Sequence, residues 1–228
     1  MTTKISEKNK VILFIVLYVL FMAVGKIILN PLPPDSLVRA YVKLPLYLFL
    51  GIFGIILFRN DFKDGFIQWK EHPVKNALFV VGLFIANVVL CNIASIPGQL
   101  IYGDAVSMND TNIEGIIGSV SPVLIILTMG IFGPIAEELV FRNILITKAS
   151  SRVNTVLCIL LSSVLFMLIH IHAFTLQEIM LNLDKFTTGI IFGTSLVLTK
   201  NLTVPVSVHV MNNTFGLALI ILADLLQK

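Results

Sequence analysis

Charge is what this chain has least of. Of its 228 residues only 13% are charged, while 57% are hydrophobic; an ordinary soluble domain carries roughly 25% charged residues. A soluble fold of this size has no way to hide so much apolar surface, so a cytosolic globular enzyme is excluded. The same numbers exclude intrinsic disorder. Excess charge of either sign is missing too: 16 basic and 13 acidic residues leave a net charge of +3, too little to point to nucleic acid. Cysteine is nearly absent. Cys91 and Cys158 lie in separate apolar stretches, which argues against a disulfide framework or a cysteine zinc site and for two packing residues. There is no internal repeat or low-complexity tract. The G-x-S-x-G elbow, the P-loop and the H-E-x-x-H helix of metalloproteases are also lacking.

What remains is an all-α, polytopic membrane helical bundle. A spanning helix needs about 20 mostly apolar residues. Seven stretches meet or approach that: 11–29, 44–58, 76–103, 115–136, 153–177, 186–199 and 201–223, with an eighth span if a long one is broken. Helices are required because backbone groups in lipid must be satisfied within the segment. The alternation of a membrane barrel is missing. The whole chain, 1–228, reads as one integral-membrane domain, and its first apolar run reads as a retained helix rather than a cleaved signal. Residues 59–76 read as a membrane-surface helix with Phe62, Phe66 and Trp69 on one face. The Gly189-x-x-x-Gly193 pair reads as a close helix contact.

The basic residues set an expected orientation. With the N-terminus in the cytoplasm, eleven fall inside (Lys4, Lys8, Lys10, Arg59, Lys63, Lys70, Lys75, Arg142, Lys148, Arg152 and Lys200). Four fall outside (Arg39, Lys43, Lys185 and Lys228), and Lys26 lies within the first span.

Ionisable groups inside spans are costly and mark function. Three places carry them. In Pro134-Ile135-Ala136-Glu137-Glu138-Leu139-Val140-Phe141-Arg142, the Glu138 and Arg142 side chains share a helical face at i, i+4. Glu137 is turned by about 100° from Glu138 and stands free to act as a general base or acid. His170 lies 33 residues after Glu137. A helical hairpin turning near residues 148–154 brings the two to one level. Phe166, one turn before His170, is placed to shield it; His172 should point away as a packing or interfacial residue. In the third place His209 and Asn213 share a face and can donate two hydrogen bonds to one developing oxyanion, with Asn212 off that face. A Glu, two His and an Asn can activate water for peptide hydrolysis. A proton-coupled transporter, or a non-catalytic immunity or scaffold protein, remains open as an alternative.

The three motifs, Glu137-Glu138-x-x-x-Arg142, Phe166-x-x-x-His170 and His209-x-x-x-Asn213, resemble those of the CPBP family of CAAX proteases and bacteriocin-processing (Abi) enzymes, related to type II CAAX prenyl endopeptidases. The resemblance covers about residues 120–222. It implies a catalytic core at 116–228 behind variable N-terminal helices at 1–115. It also implies an intramembrane endopeptidase acting on a membrane-associated peptide or protein. By that resemblance Glu137 activates water with His170 as partner, His209 and Asn213 hold the oxyanion, and Glu138, Arg142 and Phe166 support them. No cofactor is expected; if the chemistry uses zinc, Glu137, His170 and His209 are the ligands to expect. The short loops resemble bacterial members, linked to peptide maturation, bacteriocin self-immunity and peptide signalling. The expected partners are the substrate and the lipid bilayer, with no nucleic acid; the residues do not speak to oligomeric state. Substrate entry is expected from the cytoplasmic leaflet, beside the basic loops.

Overall fold

The computed structural model describes residues 5–149 and 153–226. Lys4, Lys228 and Ser150, Ser151 and Arg152 of the expected hairpin turn lie outside the described residues. The described chain is helical, without a β-strand.

Helix α1 (Glu7–Ala23) begins at Ser6, whose hydroxyl accepts the Asn9 amide proton, a standard N-cap. It continues into wider π-helical turns over Val24–Leu29. Then come α2 (Leu37–Leu57), α3 (Arg59–Glu71) and α4 (Pro73–Tyr102). Pro73 opens α4 where its missing N–H costs nothing. After the short α5 (Met108–Glu114), α6 covers Pro122–Lys148. Helix α7 (Thr155–His170) starts at Asn154, whose side chain accepts from the Val156 and Leu157 amides. The short α8 (Leu176–Leu181), α9 (Leu183–Thr199) and α10 (Thr203–Leu226) complete the chain.

Among the described residues, five helices are long and apolar enough to cross a membrane: Glu7–Leu29, Leu37–Leu57, Pro73–Tyr102, Pro122–Lys148 and Thr203–Leu226. Helices α7 and α9 fill the remaining two expected places but are short, about 24 and 26 Å at ~1.5 Å per residue. The chain is a multi-pass membrane bundle. One boundary moves decisively. The apolar run ending at Ala136 predicts a span that stops before the charged motif. Helix α6 instead carries Glu137, Glu138 and Arg142 through to Lys148. Those charges are tolerable there because α6 is the axis of the bundle: 61% of its apolar window is buried, against 11–28% in the other four spans.

Close packing around α6 comes from small residues. A Cβ on Gly189 of α9 would sit 2.7 Å from Ser163 Cα of α7, and one on Gly193 would sit 3.0 Å from Ile146 of α6, so the glycine pair does set a close helix contact. At one end of the bundle, Lys148 at the close of α6 pairs with Asp61 of α3 at 3.3 Å and Glu7 of α1 at 3.6 Å. At the other end, Lys185 of α9 reaches Asp110 of α5 at 3.9 Å. The expected surface helix ends at Glu71, because His72 leaves helical geometry before Pro73. Phe62 is buried against the bundle while Phe66 is 58% exposed.

Candidate active site

The motif side chains meet at a cavity of about 360 Å³. Glu137, Phe166, His170, His209 and Asn213 all line it. Glu138 and Arg142 stand behind the wall, both fully buried. Two runs of π-helical turns in α6, Ile126–Phe132 and Leu139–Lys148, flank the α-helical Gly133–Glu138 that carries both acids. Such turns are rare and concentrate at functional sites.

The expected brace is present and has a third member. Arg142 Nη1 pairs with Glu138 Oε1 at 3.2 Å. The same carboxylate oxygen lies 2.8 Å from His209 Nδ1. The guanidinium sits over the Phe166 ring at 4.6 Å and the Phe192 ring at 5.3 Å, and its Nη2 donates to the Gly189 carbonyl at 3.5 Å. Holding the Nδ1 proton toward Glu138 turns His209 Nε2 toward Glu137, whose Oε2 is 3.6 Å away. Both nitrogens of this histidine therefore face carboxylates.

His170 ends α7. Its Nδ1 lies 2.8 Å from the Phe166 carbonyl oxygen. A carbonyl only accepts, so Nδ1 carries a proton, and in the neutral ring Nε2 then keeps its lone pair. Phe166 packs on the His170 ring at 4.9 Å and meets His209 edge-on at 5.7 Å, so it covers both histidines. Asn213 Nδ2 donates to the Met129 carbonyl at 3.2 Å, which occupies one of its two N–H groups.

Among the described residues, no three His, Cys, Asp or Glu side chains are grouped closely enough to hold a metal ion. The bond from His209 Nδ1 to Glu138 leaves Nε2 as the nitrogen open to a ligand, an arrangement that metal-bound histidines also use.

Three neighbours depart from the sequence expectation. Cys158 is a buried packing residue, but Cys91 lines the cavity with its sulfur 3.2 Å from Thr188 Oγ1. Asn212 also lines it, accepting from Asn87 at 3.2 Å. His172 does not point away: it lines the cavity with Nδ1 2.8 Å from Asn30 Oδ1. The reason is local. Helix α7 stops at His170 and Ile171 is extended, so a rotation of about 100° per residue no longer applies.

The N-terminal half, which carries none of the three motifs, supplies the opposite wall. Lys26 of the π-helical end of α1 donates to the carbonyls of Leu168, at 3.0 Å, and of Ile171. A cation there satisfies open carbonyls at the α7 C-terminus and suits the negative pole of the helix, fixing the segment that carries His170. Arg39 is held by Leu32 O at 3.1 Å and Asn30 Oδ1 at 3.2 Å. Lys43 and Tyr47 line the cavity beside them. One signal was available: Lys26 is a charge inside an apolar run, as costly there as Glu137. Outside the spans, burial works against the Asp110 carboxylate. Lys185, with donors from Ser107 and Asn109, nonetheless holds its pKa below the ordinary value.

The cavity lies in the half of the bundle away from Lys148 and Asp61. Glu137 is eleven residues from Lys148, about 17 Å along a helix, already past the middle of a core of about 30 Å. The remaining lining (Lys26, Arg39, Asp110, Lys185) comes from the far helix ends. Entry beside the basic loops does not agree with this placement: the basic end and the cavity are at opposite ends.

Residues 119–215 match the family described as Type II CAAX prenyl endopeptidase Rce1-like. The Bacillus subtilis (strain 168) protein YdiL, whose name ranks it among membrane peptidases, is 30% identical over 137 residues, 60% of this chain. That alignment spans about half, 52%, of the relative's own length. The Membrane-embedded CAAX protease MroQ of Staphylococcus aureus (strain USA300) is 27% identical over 221 residues, covering 90% of this chain and 86% of the relative. No solved structure matches the chain. The segment that is similar to the Rce1-like type II CAAX prenyl endopeptidase family contains every motif residue from Glu137 to Asn213.

Proposed function

We propose that the chain is an intramembrane endopeptidase that hydrolyses a peptide bond in a membrane-associated peptide or protein, using water activated at Glu137. One observation carries the reading. A buried carboxylate on a cavity wall stands 3.6 Å from a histidine whose other nitrogen is held by a second, ion-paired carboxylate.

In this reading Glu137 takes a proton from water as the oxygen attacks the carbonyl carbon. It returns that proton to the leaving nitrogen as the C–N bond breaks. Glu138, braced by Arg142, fixes the tautomer of His209, so that Nε2 shares the proton with Glu137 during the step. His170 accepts a hydrogen bond from the same water through Nε2, and the second N–H of Asn213 receives the developing oxyanion. The resemblance gives His209 to the oxyanion; we assign it to the proton instead, because both its nitrogens face carboxylates.

With the N-terminus cytoplasmic, the cavity belongs to the outer half of the bilayer, and substrate reaches it from that side. Maturation of an exported peptide suits this placement, as do bacteriocin self-immunity and peptide signalling. The test is expression of the wild type and Glu137→Ala in cells lacking the gene, with mass spectrometry of the peptides released. A product present with the wild type and missing with Glu137→Ala, at equal protein level, supports the proposal. Equal product from both variants refutes it.

A further inference from the structure

A second cavity, about 440 Å³, lies at the opposite end of the bundle from the candidate active site, between the end of α2 and α3. Its lining includes three cations, Arg59, Lys63 and Lys70, together with Phe66 and Ile67. At about 100° per residue the three cations fall within about 40° of one another. Asp61, Asp64 and Glu71 lie about 120–200° around from Arg59. The charges of α3 are thus sorted by face. The acidic side is used by the protein: Asp61 accepts from Asn143 at 2.8 Å and pairs with Lys148 at 3.3 Å. The basic side makes no ion pair among the described residues. It presents apolar groups instead, with Phe66 58% and Ile67 51% exposed.

The position of α3 says what meets that face. It links the end of α2 to the start of α4, and through Asp61 and Lys148 it is level with the start of α1 and the close of α6. Four helix ends at one level mark the membrane boundary, where headgroups lie above acyl chains. A groove there, with cations beside exposed apolar side chains, has the polarity of a lipid.

We propose that the groove between α2 and α3 binds an anionic phospholipid, with Arg59, Lys63 and Lys70 on the phosphate-bearing headgroup and Phe66 and Ile67 along the chains. A phosphate between guanidinium and ammonium groups gains charge-assisted hydrogen bonds that a zwitterionic headgroup, carrying its own cation, competes for. The site does not depend on the peptidase reading.

The test is native mass spectrometry of the full chain in micelles containing equal phosphatidylglycerol and phosphatidylcholine. The expected result is at least fivefold preference for phosphatidylglycerol. That preference falls to about one in Arg59→Gln/Lys63→Gln/Lys70→Gln and persists in Lys75→Gln/Lys200→Gln, which removes charge near the same end but outside the groove. Lys63→Glu alone should lower it, in case the triple variant is poorly folded. No preference in the wild type overturns the site. So does an equal loss in the control, which means diffuse charge only, or a dimer that disappears in the triple variant, which means a second copy covers this face.

Discussion

Replacing Arg142 by Gln tests the buried brace most sharply. Arg142 and Glu138 are both fully buried. Breaking such a pair by removing one partner costs about 3–5 kcal/mol, because the other charge is left in a low-dielectric site. Stacking on Phe166 and Phe192 adds up to about 2 kcal/mol when desolvated. At roughly 2–4 °C per kcal/mol for a chain of this size, Arg142→Gln should lower Tm by about 6–28 °C. The double variant Glu138→Gln/Arg142→Gln removes both charges. The native pair is not fully satisfied: Glu138 Oε2 and Arg142 Nε find no hydrogen-bond partner among the described residues. Its net stabilisation is therefore small, and the double variant should be more stable than Arg142→Gln by about 1–3 kcal/mol, a coupling of ordinary size for residues in contact. Thermal unfolding in detergent, followed through the fluorescence of Trp69, measures all three. If Arg142→Gln melts with the wild type, or the double variant melts below it, the brace is not an energetically coupled pair and the mechanism loses its fixed His209.

Other outcomes follow from the same geometry. Glu137→Gln should cut cleavage at least about 100-fold, the lower end for losing a general base, with Tm shifted by only a few degrees. Asn213→Ala should lower kcat by about 100–1000-fold with little change in KM, read with a quenched fluorescent version of any peptide identified. Gly189→Ala places a methyl against the α7 backbone, so it should cost about 1–3 kcal/mol by overpacking and should be worse than Gly216→Ala, where the added methyl meets nothing within 4 Å. In a background with Cys91 and Cys158 replaced, Lys185→Cys should react with an impermeant maleimide added to intact cells and Lys148→Cys should not. The reverse pattern puts the cavity in the cytoplasmic half.

Much of the fold was legible because lipid imposes a simple rule. Few charges and long apolar runs leave only helices, and each of the seven expected stretches corresponds to a helix. The boundaries were less legible where charge and helix disagree. A run of apolar residues stops at Ala136, but the helix does not, since tertiary burial supplies partners for Glu137, Glu138 and Arg142. The i, i+4 relation of Glu138 and Arg142 was readable because it lies within one helix. The bond from His209 to Glu138 was not, because it joins residues 71 apart in sequence.

The cationic wall shows the same limit from the other side. Arg39 and Lys43 counted as loop charges because hydropathy has no depth; only the packing of α1 and α2 against α6 brings them to the cavity. By itself the sequence determined that this chain lives in a membrane, that it is helical, and which few polar residues needed a reason to be there. Those are properties of composition and of spacing along one helix, and both are local. The tertiary structure alone decided the third partner of the brace, the direction of His172, and the end of the bundle that holds the cavity. Each depends on where helices stop and which neighbours they meet, and no period along the chain encodes that.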